Sequence, residues 1–402
     1  MKTVAIISEY NPFHTGHEHQ IAKIREEFGA DTRIIAIMSG NYTQRGEIAI
    51  MDKSARAKVA VKCGVNLVLE LPFPYSSSSA EFFAKSGVEI ANKIGVVEYL
   101  SFGSECGDID ELTTIASNML NKTYIDSVID CSDMREFGYP KKCENLYLKL
   151  FGNKVSENFF TPNNILAIEY IKSILKSNTK IQPHTVMRRG ASYSERKITD
   201  AEHQSATSIR ELFSKDFNSA LKFIPENAIE TILDEYNKSL FPTNSEKLSP
   251  AIISHIRLNS PDDNTCIHDA QGGLYNRLYN TSFKVNTISS LISLAGTKKY
   301  TCARIRRAIW YSFFGVTSST VKEPPHYTQV LAMDNVGMAI LKEVKKISDF
   351  PVLTKPSDFA KLPQEAKNQK VLSDKADSIF HLAKPMPPSG CSSLLTTPYI
   401  MK

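Results

Sequence analysis

Two histidines three residues apart, in the string His14-Thr15-Gly16-His17, have the types and spacing for chemistry on a phosphate. Imidazoles at i and i+3 of a starting helix converge on one side of its first turn. A helix start also offers unpaired backbone N–H groups and the positive end of the helix dipole, which together favour an anion. Imidazole N–H donors held there sit where negative charge builds on a phosphorus undergoing displacement. Pro12 biases Asn11 toward an extended backbone, and Gly16 lets the chain pass close to a ligand. Two surface histidines at a helix cap would produce the same four residues. A metal pair would need a third ligand, and the neighbouring sequence supplies none, so no metal is expected.

A second candidate is Ser205-Ala206-Thr207-Ser208-Ile209-Arg210. Thr207 or Ser208 is read as the cap of a short helix carrying Arg210 in its first turn. Hydroxyl, backbone N–H and guanidinium groups could together hold a β- or γ-phosphate. Alone, the string reads first as an N-cap followed by a surface arginine; paired with His14 and His17, the phosphate reading becomes the stronger.

The elements around His14 and His17 make the phosphate reading the stronger one. Apolar runs at Val4 to Ser8, Arg33 to Met38, Val65 to Leu71 and Val97 to Phe102 read as buried strands. Between them, Gly16 to Glu27, Asp52 to Cys63 and Glu81 to Lys93 carry apolar residues at helical spacing. Buried strands alternating with amphipathic helices predict a parallel sheet covered on both faces. Such sheets bind ligands where a strand's carboxyl end turns into the next helix, which is where His14 and His17 fall. Residues 109 to 176 read as mainly helical, Ile181 to Met187 as a further strand and Thr207 to Phe213 as a helix. The expected class is α/β. A Rossmann-like domain with a parallel sheet spans 1–215, a mainly helical domain 216–318 and a small α/β appendage 319–402.

Net charge is +5, which permits an RNA partner without demanding one. Seven cysteines are scattered singly, without a CxxC pair, and no export signal or roughly 20-residue apolar span is evident, so a soluble cytoplasmic protein is expected. Lys298, Lys299, Arg304, Arg306 and Arg307 crowd one region with Tyr300 and Trp310 interleaved. Clustered basic side chains on a helix can form a phosphate-backbone footprint; a charge run is also the ordinary solvated face of a helix. Trp310, with apolar neighbours, is assigned to the core. Arg45, Lys53, Arg56 and Lys58 could extend a basic surface near the histidines. His184, His203, His255 and His268 show no partner pattern and are read as structural or exposed.

The motif resembles the HxGH nucleotidyltransferase superfamily, and longer strings narrow the resemblance. Glu9-Tyr10-Asn11-Pro12-Phe13-His14, Met38-Ser39-Gly40-Asn41-Tyr42-Thr43-Gln44-Arg45-Gly46-Glu47 and Leu69-Glu70-Leu71-Pro72-Phe73 are similar to the bacterial tRNA(Met) cytidine acetate ligase family. Phe102-Gly103-Ser104-Glu105, Pro162-Asn163-Asn164-Ile165-Leu166, Arg188 to Tyr193, Ala206 to Arg210, Lys299-Tyr300-Thr301 and Ala303-Arg304-Ile305 extend the similarity over most of the chain.

The resemblance implies that ATP activates acetate as acetyl-adenylate with release of pyrophosphate. The acetyl group then passes to N4 of the wobble cytidine, position 34, of elongator tRNA(Met). It implies His14 and His17 as catalytic residues. The ATP site would be the whole string Ile7-Ser8-Glu9-Tyr10-Asn11-Pro12-Phe13-His14-Thr15-Gly16-His17-Glu18-His19-Gln20, together with Gly103, Asn163 and Arg188. Magnesium would arrive on the nucleotide. Thr207, Ser208 and Arg210 are carried as phosphate contacts, and the five basic residues from Lys298 to Arg307 as tRNA contacts. Departures from the family pattern fall at Ile48, where proline is common, at Ser194, where histidine is expected, and at Cys391-Ser392-Ser393, where an Asp-Phe pair is missing. Two other functions remain compatible: adenylylation of a small phosphorylated cofactor precursor, and tRNA binding without catalysis.

Overall fold

A computed structural model describes residues 1–130, 139–152, 159–188, 204–264, 266–388 and 397–402. Ser194 and Cys391-Ser392-Ser393 lie outside the described residues, as does His203.

The first part of the chain alternates as the apolar runs predict: β1 (Thr3–Ser8), α1 (Thr15–Phe28), β2 (Arg33–Ser39), α2 (Lys53–Lys62), β3 (Leu67–Leu71), α3 (Ala80–Lys93) and β4 (Tyr99–Ser104). Helices α4 (Ile109–Met119), α5 (Lys122–Asp130), α6 (Tyr139–Phe151) and α7 (Pro162–Lys176) lead to β5 (Gln182–Met187). Next come α8 (Ala206–Lys215), α9 (Phe217–Leu221), α10 (Glu226–Asn237), α11 (Ser249–Leu258), α12 (Leu274–Ser282), α13 (Ile288–Ala295), α14 (Cys302–Phe314) and α15 (Ser318–Lys322). The chain ends with β6 (Thr328–Met333), α16 (Asn335–Ile347), β7 (Val352–Leu353), α17 (Gln364–His381) and β8 (Tyr399–Ile400).

The strand order is β5-β4-β1-β2-β3-β6-β7, with β8 also on β6. Pairs β5–β4, β4–β1, β1–β2 and β2–β3 are parallel. The chain winds outward from β1 to β3, then crosses back to place β4 on the other side of β1. The sheet therefore reverses direction between β1 and β4, and their carboxyl ends border the crevice where doubly wound sheets hold ligands.

Alternation along the strands builds two cores. In β1, Ala5 and Ile7 face a cluster with α3, α4 and α7, while Val4 and Ile6 face one with α1, α2, α8 and α10. A third apolar cluster joins α11 to α14 with the loop residues Tyr42, Ile48, Ala49 and Phe73 and with Phe380 of α17. Ile48 is buried there, which gives the residue at this departure from the family pattern an apolar packing role.

The expected partition at 215 and 319 differs from this packing. Helices α9 and α10, expected in a second domain, join the apolar cluster on this face of the sheet through Ala220, Ala228 and Ile232, with α10 against α2 and α9 against α8. The 319–402 segment, expected as a small appendage, adds β6 antiparallel to β3, with Leu67 opposite Met333, and lays α17 against the helical cluster. Strand β6 is buried along its whole length, with β3 on one side and β7 and β8 on the other, so the C-terminal segment extends the sheet beyond β3.

Candidate active site

Strand β1 ends at Ser8, and the chain then makes a turn in which Tyr10 adopts φ 45°. A left-handed backbone at a non-glycine residue is strained and is found where surrounding structure holds it. Here the Tyr10 ring is clamped against Phe13, with centroids 4.8 Å apart, and against His17 at 4.9 Å. Asn11 is buried, accepts a 2.7 Å bond from the Ile50 N–H and passes its carbonyl to Arg210 Nη1 at 3.0 Å.

His14 is the N-cap of α1, and the two histidines cap each other's backbone. His14 Nδ1 accepts from Gly16 N at 3.1 Å, and His17 Nδ1 accepts from His14 N at 3.2 Å. An acceptor nitrogen carries no proton, so in each neutral ring the proton is on Nε2. The rings lie 3.9 Å apart, centroid to centroid, and both line the cleft. Burial, and then the Arg188 guanidinium, lower the His17 pKa to about 3. His17 therefore acts as a neutral N–H donor throughout the physiological range. A Cβ on Gly16 would come within 2.8 Å of His14 Cε1, so glycine leaves room for the capping ring.

The opposite wall comes from the ends of β4 and β5. A Cβ on Gly103 would meet Arg188 Cγ at 3.1 Å, so the missing side chain admits the Arg188 stem across the strand end. Arg188 follows β5 directly and donates its N–H to the Ser104 carbonyl at 2.9 Å. The strings Phe102 to Glu105 and Thr161 to Asn164 form one clamp. Glu105 accepts from Thr161 Oγ1 at 2.7 Å, Asn163 Nδ2 at 2.5 Å and Asn164 N at 2.8 Å, while Asn164 Oδ1 takes the Glu105 N–H at 2.8 Å. A carboxylate at a helix N-terminus complements its dipole and orphan donors, and here it fixes α7 to the cleft rim.

These walls enclose a cleft with about 1220 Å³ of empty space, and a smaller pocket of about 550 Å³ adjoins it beside α1. Of the residues carried from the sequence, Ile7, Ser8, Glu9, Tyr10, Asn11, His14, His17, Gln20, Gly103, Asn163, Arg188, Thr207 and Arg210 line the cleft; Gly16 and His19 line the adjoining pocket. Phe13 is buried in the core, Thr15 donates its N–H to the Phe223 carbonyl, and Glu18 is exposed outside the cleft. Pro12 supports the turn without lining the cleft.

The α8 cap differs from expectation. Ser205, not Thr207 or Ser208, caps the helix, accepting from Ser208 N at 3.2 Å, and Ser208 is buried beneath it. Arg210 is held by Glu47 Oε2 at 2.8 Å and by the Asn11 carbonyl. Its guanidinium thus braces the turn as well as lining the cleft.

Two basic readings are corrected. Arg56 is fully buried and gives its donors to the carbonyls of Met51, Glu9, Ser39 and Gly40. Lys53 is buried between Glu70 and Asp377, each at 2.6 Å. Neither belongs to an RNA-facing surface; both hold the strand-end loops together. On α14, Arg307 is buried and pairs with Asp269 at 2.6 Å, so it leaves the expected phosphate footprint. Arg304 donates to the carbonyls of Asp269 and Gln271, and Arg306 meets Glu47 at 3.1 Å. Lys298 and Lys299 are exposed. Trp310 is core, as assigned, and donates to the Gly46 carbonyl at 2.8 Å. His184 is structural, bridging Ser101 at 3.0 Å and Glu27 at 2.8 Å.

The residue-by-residue reading missed Phe83, Tyr170 and Ser205 as cleft residues and Gln204 in the adjoining pocket. Leu166 and Tyr170, four apart on α7, share a helix face, a periodicity that signals a wall but not which cavity it faces. Among the described residues, no group of three His, Cys, Asp or Glu could hold a metal, and no helix is long and apolar enough to cross a membrane.

A family model described as HIGH Nucleotidyl Transferase matches residues 1–390. The tRNA(Met) cytidine acetate ligase of Thermoanaerobacter sp. (strain X514) is 37% identical over 371 residues, covering 89% of this chain and 90% of the relative. That of Alkaliphilus metalliredigens (strain QYMF) is 33% identical, covering 100% and 99%. The crystal structure of Thermotoga maritima TmcAL bound with alpha-thio ATP superposes with a TM-score of 0.90 at 30% identity, covering 100% of this chain and 99% of that one.

Proposed function

The chain belongs to the HIGH nucleotidyl transferase family and, within it, to the tRNA(Met) cytidine acetate ligases, and from that premise we propose how its cleft works. ATP lies with its α-phosphate at the start of α1, contacting the Ile7 to Gln20 turn, Gly103, Asn163 and Arg188. An acetate oxygen attacks the α-phosphorus, the bond to pyrophosphate breaks, and acetyl-adenylate remains. Acetate is ionised near neutral pH, so this step needs no general base. Charge that develops on the α-phosphate oxygens is met by the Nε2–H groups of His14 and His17 and by the helix start. Magnesium travels on the nucleotide's phosphates, and Arg188, Thr207 and Arg210 complete the polyphosphate's surroundings. The acetyl group then moves to N4 of the wobble cytidine, position 34, of elongator tRNA(Met), in the cytoplasm.

The observation that carries this reading is the reciprocal histidine cap, which fixes both donor edges at the sheet's reversal point. Purified protein with ATP, labelled acetate and total tRNA tests it: the expected outcome is label in tRNA(Met) that is recovered as N4-acetylcytidine after nuclease digestion, and stoichiometric pyrophosphate. Pyrophosphate release with another acid or a phosphoester, and no label in RNA, would overturn it.

A further inference from the structure

Glu9 is the first residue beyond β1, and the left-handed turn at Tyr10 separates it from its neighbour. The Tyr10 ring goes beneath the turn, while the Glu9 side chain stays in the cleft. Glu9 is held at two points: its carbonyl accepts from Arg56 Nη1 at 2.6 Å, and its Oε1 accepts from the Gln44 N–H at 2.8 Å. No described side chain bonds Oε2. Phe83, Leu166 and Tyr170 wall the same cleft, and the Tyr170 phenol feels the Glu9 charge.

A carboxylate here is misplaced for a polyphosphate, because like charges repel. It suits an amine. A carboxylate only accepts hydrogen bonds, and the exocyclic N4 amino group of cytosine is a donor where uracil offers an acceptor oxygen. We propose that Glu9 is a catalytic residue of the transfer step: it receives the Watson–Crick edge of a cytidine turned out into the Phe83–Leu166–Tyr170 end of the cleft and takes the proton that N4 sheds. This rests on the function proposed above and deepens it.

In that step the N4–carbon bond forms as the acetyl carbon's bond to the adenylate oxygen breaks. AMP leaves with the electron pair, and the proton released by N4 goes to the Glu9 carboxylate. An enzyme acting on a base inside an RNA loop has to extract it from its stack, and a recessed acceptor group fits that requirement. The charged and titratable groups facing Glu9 agree with a base. Burial and the nearby Glu47 raise its pKa, against the Gln44 N–H, Arg210 and Arg45, which lower it; the net direction is up. Burial, and then Glu9 itself, push the Tyr170 phenol well up, so it stays a hydroxyl donor for a ring acceptor of the base.

The test compares two reactions of the full-length enzyme: acetate-dependent ATP–pyrophosphate exchange without tRNA, and single-turnover acetyl transfer to tRNA(Met). Glu9→Gln is isosteric and keeps the acceptor for Gln44. It is expected to slow transfer about 100-fold or more, in the range for loss of a general base, and to slow transfer at least tenfold more than exchange. It should also erase the acid limb of the transfer pH profile, and Glu9→Asp should restore that limb at reduced rate. Equal losses in exchange and transfer, or an acid limb that persists in Glu9→Gln, would overturn the assignment. Wild-type enzyme without acetate-dependent exchange would instead overturn the activation chemistry proposed above, before any substitution is made, and this inference with it.

Discussion

At the start of α1, two imidazoles spend one ring nitrogen each on their own backbone and line the cleft. Along α14, three guanidinium groups spend their donors on the protein: Arg304 on two carbonyls, Arg306 on Glu47 and Arg307 on Asp269. Both strings look like anion sites in one dimension. The difference lies in what the backbone leaves over. A cap uses only one edge of a histidine, so the same ring can be structural and catalytic. A guanidinium fanned over nearby carbonyls has its fork occupied. The α14 cluster is therefore mainly a buttress: Gly46, whose Cβ would come within 2.6 Å of Arg306 Cβ, is packed on this helix and carries the Thr43 to Glu47 loop into the cleft.

Breaking the α1 side should have the largest effect. His14→Ala and His17→Ala are each expected to lower acetate-dependent ATP–pyrophosphate exchange by about 10²–10³-fold, the usual loss for an oxyanion donor. Binding of tRNA, measured by filter retention, should persist in both. Exchange within tenfold of wild type would move catalysis away from this helix. On the α14 side, Arg307→Ala strands Asp269 and should cost about 3 kcal/mol in denaturant unfolding. Its tRNA affinity should keep the wild-type salt slope. Undiminished stability with a flatter slope would return Arg307 to the RNA surface.

Smaller effects sharpen the contrast. Lys298→Ala with Lys299→Ala removes the exposed members of the cluster, so the slope of log affinity against log salt should drop by about 1–2 without loss of stability. An unchanged slope would remove the cluster from the RNA interface altogether. The subtlest expectation concerns pH. His17 has a folded pKa of about 3, below its unfolded value, so the unfolded chain binds the proton first as pH falls. His17 then contributes no limb to the exchange rate between about pH 5 and 8. It erodes stability progressively as pH falls below about 6.5. An exchange limb in that window that vanishes in His17→Gln would contradict the neutral-donor role.

Much of this was legible because it is local. The β1 run, the helical spacing of Ile21 and Ile24, and the His-x-Gly-His string lie within two dozen residues, and one period or one turn defines each. Lys53 and Arg56 were illegible for the opposite reason. Lys53 finds Asp377 only across 324 residues, and nothing in a linear charge pattern reveals a buried counter-ion so far away. The antiparallel docking of β6 beside β3 is equally non-local, so 319–402 reads as an appendage although Leu67 and Met333 are neighbours. The cap of α8 was missed by two or three residues, close to the usual uncertainty of helix ends, because three hydroxyl-bearing residues compete for it.

The Lys53–Glu70–Asp377 contact also has a consequence for synthesis. Asn41, at the root of the loop that carries Thr43 to Glu47, donates to the same Asp377 at 2.9 Å. A nascent chain emerging from the ribosome holds both histidines and the Lys53–Glu70 pair early, yet Lys53 and Asn41 lack Asp377 until α17 has been made. The loop root therefore gains its Asp377 anchor only when α17 docks, 324 residues after Lys53.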